Sequence, residues 1–219
     1  MVLVNQSDTV IEIDGQLPEP RYYDIDGVKY PSVTSVTGIL ANPYLEQWRG
    51  NIGNEMANAV MKETAAFGDT IHELTAVIDI TGVESIEVPG NVVKHITNYV
   101  KWRQKGIAEV IEVERLVVSK RYQYAGRLDR VVRIVGDEYL GLLDIKTGSV
   151  SPRQGLQTAA YAEAYQEMTN VKIERRGVVR IARISGNVSP YWHLNAGDLG
   201  AFLKLREVFE YLRSIGEVS

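Results

Sequence analysis

Residues 141–148 read GLLDIKTG, and the fold is inferred outward from this short stretch. The apolar run is typical of a buried strand that ends at Asp144 and Lys146. Because side chains alternate across a strand, these two charges point to one face and Ile145 points to the other. Charges on a buried strand cost free energy unless they are paired or reach a cleft. Considered alone, the pair is explained better by a salt bridge at a strand end.

The preceding stretch adds a second acid. Residues 124–135 read YAGRLDRVVRIV, alternate in polarity and are followed by a Gly136-Asp137 turn signal. Asp129 and Asp144 are roughly equidistant from this turn, so in an antiparallel pair they can lie across from each other. Two adjacent carboxylates repel unless a proton or a cation lies between them. Oxygen ligands favour Mg²⁺ or Mn²⁺, so a divalent ion is the expected occupant.

Two further regions could complete such a site. Residues 108–119, AEVIEVERLVVS, read as the first of three consecutive antiparallel strands. Glu112 and Glu114 are expected to share one face there, and either could add a third carboxylate. His72 lies within FGDTIHEL on a long predicted helix and could supply a nitrogen ligand from above the sheet. Alone, a helical histidine of this kind is more often hydrogen-bonded within the protein or solvated.

The helix that follows the Asp144 strand offers a polar face. Residues 151–168 read SPRQGLQTAAYAEAYQEM, with Ser151 placed as N-cap and Pro152 at the first helical position. Gln157 and Tyr161 are four residues apart, so they lie on one face, one turn apart. They could contact a ligand or simply pack the helix.

The remaining chain supplies the order of elements. A hairpin is expected around Asp26-Gly27, helices from Pro31 to Lys105, two strands within 175–195 and a last helix over 198–212. The order helices, three strands, helix, two strands, helix predicts an α/β (α+β) mixed sheet with helices on its faces. We expect one domain over 1–219, with an N-terminal hairpin segment (1–30), a helical region (31–106) and a sheet core with flanking helices (107–219).

Composition excludes several classes of site. The 219 residues contain no cysteine, which removes disulfides, zinc–thiolate sites, iron–sulfur clusters and thiol nucleophiles. No apolar run reaches transmembrane length, and the N-terminus resembles neither a signal nor a transit peptide, so a cytoplasmic location and no membrane partner are expected. Residues 101–183 hold 16 of the 24 basic and 10 of the 28 acidic residues. This basic segment suits an anionic ligand in one cleft, although chance clustering explains it equally well.

Three motifs in this order resemble a known family. Gly126-x-x-Asp129, Asp144-Ile145-Lys146 and Gln157-x-x-x-Tyr161 resemble the PD-(D/E)xK nuclease superfamily, and the upstream His72 resembles its RecB-like exonuclease branch. YPSVTSVTGIL (30–40) followed by YLEQW (44–48) resembles the opening segment of phage and mitochondrial single-strand exonucleases of that branch. The literal Pro-Asp dipeptide is absent. The resemblance implies a restriction-endonuclease-like core.

The resemblance also implies a role for each candidate residue. It implies one or two Mg²⁺ or Mn²⁺ ions and products that carry a 5′-phosphate and a 3′-hydroxyl. Lys146 would orient the attacking water and help to deprotonate it. The other implied roles are metal ligation by Asp129, Asp144 and the Ile145 carbonyl; ligation or positioning of the metal by His72; support from Glu114; and nucleic-acid binding or bracing of the site by Gln157, Tyr161, Arg127 and Arg153.

Three functions follow as alternatives. The leading one is a metal-dependent DNA exonuclease in phage or bacterial recombination, replication or repair, acting on single-stranded DNA or on free ends. The others are a structure-selective or restriction-type endonuclease and a catalytically silent nucleic-acid-binding module. The chain leaves no room for a separate DNA-reading domain, and residues 31–65 could form a helical gateway, which favours the exonuclease. A recombinase or a single-strand-binding protein is a candidate partner, and the oligomeric state stays open.

Overall fold

The computed structural model describes residues 20–82 and 87–218. The expected absence of a targeting signal, and residues 1–19 of the expected N-terminal segment, lie outside this part of the chain. The elements are β1 (Tyr22–Ile25), β2 (Val28–Pro31), α1 (Val33–Gly38), α2 (Pro43–Ile52), α3 (Asn54–Thr81), α4 (Val93–Gly106), β3 (Ile107–Ser119), β4 (Tyr124–Ile134), β5 (Leu140–Lys146), α5 (Arg153–Thr169), β6 (Arg175–Ile181), β7 (Val188–Trp192) and α6 (Asp198–Ser214).

Five strands form the central sheet in the order β3-β4-β5-β6-β7. The pairs β3–β4, β4–β5 and β6–β7 are antiparallel, whereas β5 and β6 run parallel. A parallel pair needs a crossover connection, and here α5 supplies it. The sheet is therefore mixed, which confirms the predicted fold class and places β5 at the centre.

Helices cover both faces of this sheet. On one face, α1, α5 and α6 pack on a core that includes Val33, Leu142, Tyr161 and Phe202. On the other face, α3 and α4 pack around Ile145, Ile71 with Ile96, and Ile181. Leu142 and Ile145 thus anchor β5 to opposite layers, as strand alternation requires. Burial on both sides fixes β5 in the middle of the molecule.

Local chemistry explains most of the element ends. Asp26 and Gly27 have φ angles of 55° and 79°, as a tight two-residue hairpin turn requires. The Ser32 hydroxyl accepts a hydrogen bond from the Ser35 N–H, so Ser32 caps α1. Asn42 caps α2 in the same way, with a proline at its first position.

Two predicted helix starts need correction. Pro31 does not open a helix, because it pairs with Tyr22 as the last residue of β2. Helix α5 begins at Arg153 rather than at Pro152. Pro152 occupies the cap position, and the Ser151 hydroxyl accepts from the Arg153 N–H at 3.2 Å. The orphan amides of the first turn still find an acceptor.

No helix within 20–82 or 87–218 is both long enough and apolar enough to cross a membrane.

Candidate active site

Strand register brings three carboxylates into one row. In β4–β5, Arg130 pairs with Leu143, so the same register extended by one residue sets Asp129 opposite Asp144. In β3–β4, Val113 pairs with Arg130 and Arg115 with Leu128, which sets Glu114 opposite Asp129. The row therefore runs across three neighbouring strands.

Helix α3 places an imidazole against this row. His72, Glu114 and Asp129 each offer a ligand atom, and these atoms all lie within 4.8 Å of one another. His72 Nδ1 is 3.5 Å from Asp129 Oδ2, and the His72 side chain is 30% exposed. Two carboxylate oxygens and one imidazole nitrogen form a donor set that fits Mn²⁺ and accommodates Mg²⁺. The residues present thus fit a divalent cation.

Asp129 is fixed by the neighbouring strand. Its Oδ2 accepts a hydrogen bond of 2.6 Å from the Ile145 N–H. The Ile145 side chain is buried in the core, so this backbone contact holds a well-anchored strand to the carboxylate. The contact orients Asp129 between His72 and β5.

Asp144 is buried and only partly satisfied. Its Oδ1 accepts a 3.0 Å hydrogen bond from Gln157 Nε2. Its Oδ2 lies 2.7 Å from Lys146 Nζ, but among the described residues no group meets this oxygen with hydrogen-bond geometry. Burial raises the pKa of Asp144 to about 6, since its effect and that of Asp129 outweigh the opposing charge of Lys146. A further cation nearby would favour the ionised form of Asp144.

Lys146 is a charged partner for that site. Burial alone would lower the pKa of its ammonium group, but the nearby Asp144 and Asp129 carboxylates raise it instead. Its side chain is 28% exposed, so part of it is accessible to a ligand. An ammonium held at the end of β5 can donate hydrogen bonds to an anionic ligand.

Gln157 and Tyr161 lie behind Asp144. Gln157 Nε2 also approaches Tyr161 Oη at 3.2 Å, and both side chains are buried. The Tyr161 ring lies where a side chain of residue 126 would be, because a Cβ built on Gly126 would stand 2.4 Å from Tyr161 Cε1. These contacts support a bracing role for the pair.

Glu112 and Glu114 do not share a face. Glu114 has a φ of 50°, which breaks the alternation of β3, and its Oε1 accepts a 3.1 Å hydrogen bond from Arg130 Nη1. Glu112 pairs in register with Val131, whose side chain belongs to the core beneath α5, and its Oε2 lies 3.9 Å from Arg115. The structure thus brings Glu114, and not Glu112, to His72.

The two candidate arginines contact backbone carbonyl oxygens rather than the carboxylates of the row. Arg127 is exposed, and its Nη1 lies 3.4 Å from the Glu114 carbonyl oxygen. Arg153 donates to the carbonyl oxygens of Leu40, at 3.0 Å, and Ala41. The Arg153 guanidinium thus ties the start of α5 to the α1–α2 connection.

A cleft leads to His72 between α2 and α3. Its volume is about 560 Å³, and its walls include Leu45, Trp48, Met61, Gly68 and Thr147. From sequence alone Trp48 is expected to be a packing residue, with stacking on a base as the alternative, and the structure places it half-buried on the cleft wall. The available sequence signal is the spacing of Leu45 and Trp48, three residues apart and therefore on one face of a short helix.

Sequence reasoning also misses a buried pair beside the row. Arg130 Nε lies 2.6 Å from Asp79 Oδ2, and both side chains are almost fully buried. The signal was available in α3, where Asp79 follows the apolar stripe of Leu74 and Ile78.

Comparison with known proteins identifies the family. No curated protein matches the chain. The crystal structure of SSO0001 is 17% identical, with 83% of this chain and 75% of that chain covered and a TM-score of 0.43, too weak a similarity to support functional inference. The family model of the PD-(D/E)XK nuclease superfamily matches residues 46–204, a span that holds His72 and the whole carboxylate row. The chain therefore belongs to the PD-(D/E)XK nuclease superfamily, whose members are generally metal-dependent nucleases.

Proposed function

We propose that this nuclease is a divalent-metal-dependent DNA exonuclease of the RecB-like branch that leaves 5′-phosphate and 3′-hydroxyl ends. The observation that carries the proposal is the row Glu114–Asp129–Asp144, with His72 above it and Lys146 at its end. His72, Glu114 and Asp129 would hold the cation, and Asp144 adjoins them. A bound divalent cation supplies Lewis-acid stabilisation of phosphate charge and makes water more acidic.

The chain's own residues do the rest. Lys146, charged and held by Asp144, can donate a hydrogen bond to the attacking water or to a phosphate oxygen, and its charge favours loss of a proton from that water. The water oxygen bonds to phosphorus, the P–O3′ bond breaks and O3′ takes up a proton. Gln157 holds the other Asp144 oxygen, so the carboxylate keeps its orientation while Lys146 engages the substrate.

Action on free single-stranded ends is supported by the cleft. Its apolar walls suit unstacked bases better than a duplex backbone, and Trp48 offers a stacking surface close to His72. Arg153 holds the α1–α2 connection next to α2, which keeps this wall in place. The resemblance of residues 30–48 to the opening segment of single-strand exonucleases points the same way. The phage or bacterial pathway and a recombinase or single-strand-binding partner rest on that resemblance alone.

The test is digestion of end-labelled linear and of circular single strands with Mg²⁺, Mn²⁺ or EDTA. We expect metal-dependent release of nucleotides from linear DNA and intact circles. Asp137→Asn, at the opposite end of β5, serves as a control that keeps full activity, whereas Lys146→Ala is inactive. Cleavage in EDTA would overturn the metal mechanism, and nicking of circles would favour the endonuclease.

The cleft has its own test. Trp48→Ala is expected to raise the KM for linear single strands severalfold, because stacking contributes about 1 to 3 kcal/mol per base. A half-buried wall residue should give the lower part of that range. An unchanged KM would remove Trp48 from the substrate path.

A further inference from the structure

A cluster of buried charges lies between α3, α4 and the carboxylate row. Arg130 is 2% exposed and Asp79 is 8% exposed. Arg130 Nε donates to Asp79 Oδ2 at 2.6 Å, Tyr99 Oη donates to the same oxygen at 2.5 Å, and Arg103 Nε donates to Oδ1 at 2.6 Å. Both oxygens of this carboxylate are thus occupied.

The remaining nitrogens of Arg130 reach toward the candidate metal ligands. Nη1 donates to Glu114 Oε1 at 3.1 Å and to the Asp129 carbonyl oxygen at 2.7 Å. Nη2 donates to the Thr75 hydroxyl at 3.2 Å. One rigid guanidinium therefore joins the Asp79 carboxylate to two of the three residues that offer metal ligand atoms.

Stability is a weak reason for this arrangement. Desolvating an ion pair costs several kcal/mol per ion, and well-packed apolar side chains often replace such a pair without loss. What apolar side chains cannot supply is a planar fork with fixed donor directions and a permanent positive charge. Glu114 needs both, because its backbone adopts a left-handed φ and its carboxylate faces the like charge of Asp129.

We propose that Arg130, held in place by Asp79, is a positioning residue that orients Glu114 and the Asp129 backbone to receive a divalent cation. The inference rests on the proposed metal-dependent function. The Arg130 charge offsets the repulsion between Glu114 and Asp129 before a cation binds. The fork meanwhile leaves the other Glu114 oxygen free of Arg130.

The test measures Mn²⁺ binding to the full chain, stripped with EDTA, by isothermal titration calorimetry. Removing a group that orients a metal ligand typically weakens binding about 10- to 100-fold. We expect Arg130→Lys and Arg130→Met to raise the Kd for Mn²⁺ by at least about tenfold, measured at temperatures where each variant is folded. Arg103→Met is the matched control. It disturbs the same Asp79 carboxylate from the side away from Glu114, and should lower the melting temperature while changing the Kd less than about twofold.

A double variant separates positioning from general destabilisation. Arg130→Lys combined with Glu114→Gln should bind Mn²⁺ no more weakly than Glu114→Gln alone, because the effect of Arg130 passes mainly through Glu114. If Arg130→Met fails to fold, Arg130→Lys, which keeps the positive charge but loses the planar fork, carries the measurement. A folded Arg130→Lys protein with wild-type Mn²⁺ affinity would overturn the inference, as would equal weakening by Arg103→Met.

The same experiment distinguishes the two proposals. If the wild type binds Mn²⁺ but cleaves no DNA, the proposed exonuclease function fails, and the role of Arg130 is still decided by the Kd values. If the wild type cleaves DNA and Arg130 variants bind Mn²⁺ normally, only the positioning role fails. If the wild type binds no Mn²⁺, both fall.

Discussion

Two buried aspartates on opposite sides of the sheet differ in how fully their carboxylate oxygens are hydrogen-bonded. Asp79, on the α3 side, has both oxygens engaged by Arg130, Arg103 and Tyr99 at 2.5 to 2.6 Å. Asp144, on the α5 side, has one oxygen bonded to Gln157, and among the described residues the other has only the ion pair with Lys146 at 2.7 Å. The comparison separates a carboxylate whose oxygens are both fully hydrogen-bonded from one that keeps an oxygen beside the proposed cation.

The largest expected effect is on activity at the incompletely satisfied aspartate. Asp144→Asn should lower the cleavage rate about 1,000-fold, equivalent to about 4 kcal/mol, because the site loses a negative charge beside the cation. The variant should remain folded, since Asn keeps the size of the side chain. Rate measurements on linear single strands, alongside thermal melting, check both statements. Substantial activity of Asp144→Asn would show that cleavage does not depend on the negative charge of Asp144.

The corresponding experiment at the fully hydrogen-bonded aspartate replaces Asp79. Asp79→Asn should lower the free energy of unfolding by about 3 kcal/mol, because it leaves the Arg130 and Arg103 charges buried without their shared partner. Urea denaturation measures this loss. Asp137→Asn, at a half-buried carboxylate paired with the exposed Arg175, is the control and should change stability by less than about 1 kcal/mol. A stable Asp79→Asn protein would show that this cluster does not hold the fold.

A pH titration sharpens the contrast. Burial raises the pKa of Asp144 from 3.8 to about 6. The Asp129 charge adds to this increase, and the Lys146 charge opposes it. Between about pH 4 and about pH 6 the folded protein therefore binds a proton that the unfolded chain has released, so this group makes stability fall as pH rises. In EDTA, the free energy of unfolding of Asp144→Asn should therefore increase relative to that of the wild type as the pH rises from about 4 to about 6. Above about pH 6 this difference should stay constant. Urea denaturation at pH 4 to 8 tests this, and a pH-independent difference would contradict it.

The smallest expected effect is at the brace behind Asp144. Gly126→Ala forces a methyl group against Tyr161, so we expect a loss of about 1 to 3 kcal/mol in stability. Activity should also decrease, because Gln157, which holds Asp144, is hydrogen-bonded to the same tyrosine. Gly200→Ala in α6, where nothing lies within 4 Å of the added carbon, is the control and should be neutral or stabilising. Equal free energies of unfolding for the two variants in urea denaturation would show that Tyr161 moves aside for the added methyl group at little cost.

Much of this site follows from local sequence. Asp129 and Asp144 lie at equal distances from the Gly136-Asp137 turn, which sets them opposite each other, and the observed register agrees with this expectation. Helical spacing likewise puts Gln157 and Tyr161 on one face. These inferences succeed because strand pairing through a short turn and helix periodicity are properties of adjacent residues.

The rest depends on contacts between distant elements. Alternation predicts one face for Glu112 and Glu114, and the left-handed backbone at Glu114 breaks that rule. The Arg130–Asp79 contact joins residues 51 positions apart, and the role of α2 depends on how it faces α3. No local pattern encodes such distances, since they arise only when the helices pack on the sheet.

The backbone at Glu114 carries a further consequence. A φ of 50° costs a non-glycine residue about 1 to 2 kcal/mol, and glycine would relax it. Laboratory evolution that selects for heat resistance alone should therefore favour replacement of Glu114. On the proposed function, the selected variants would be more stable but would no longer cut DNA. Stability and catalysis thus favour different residues at this position.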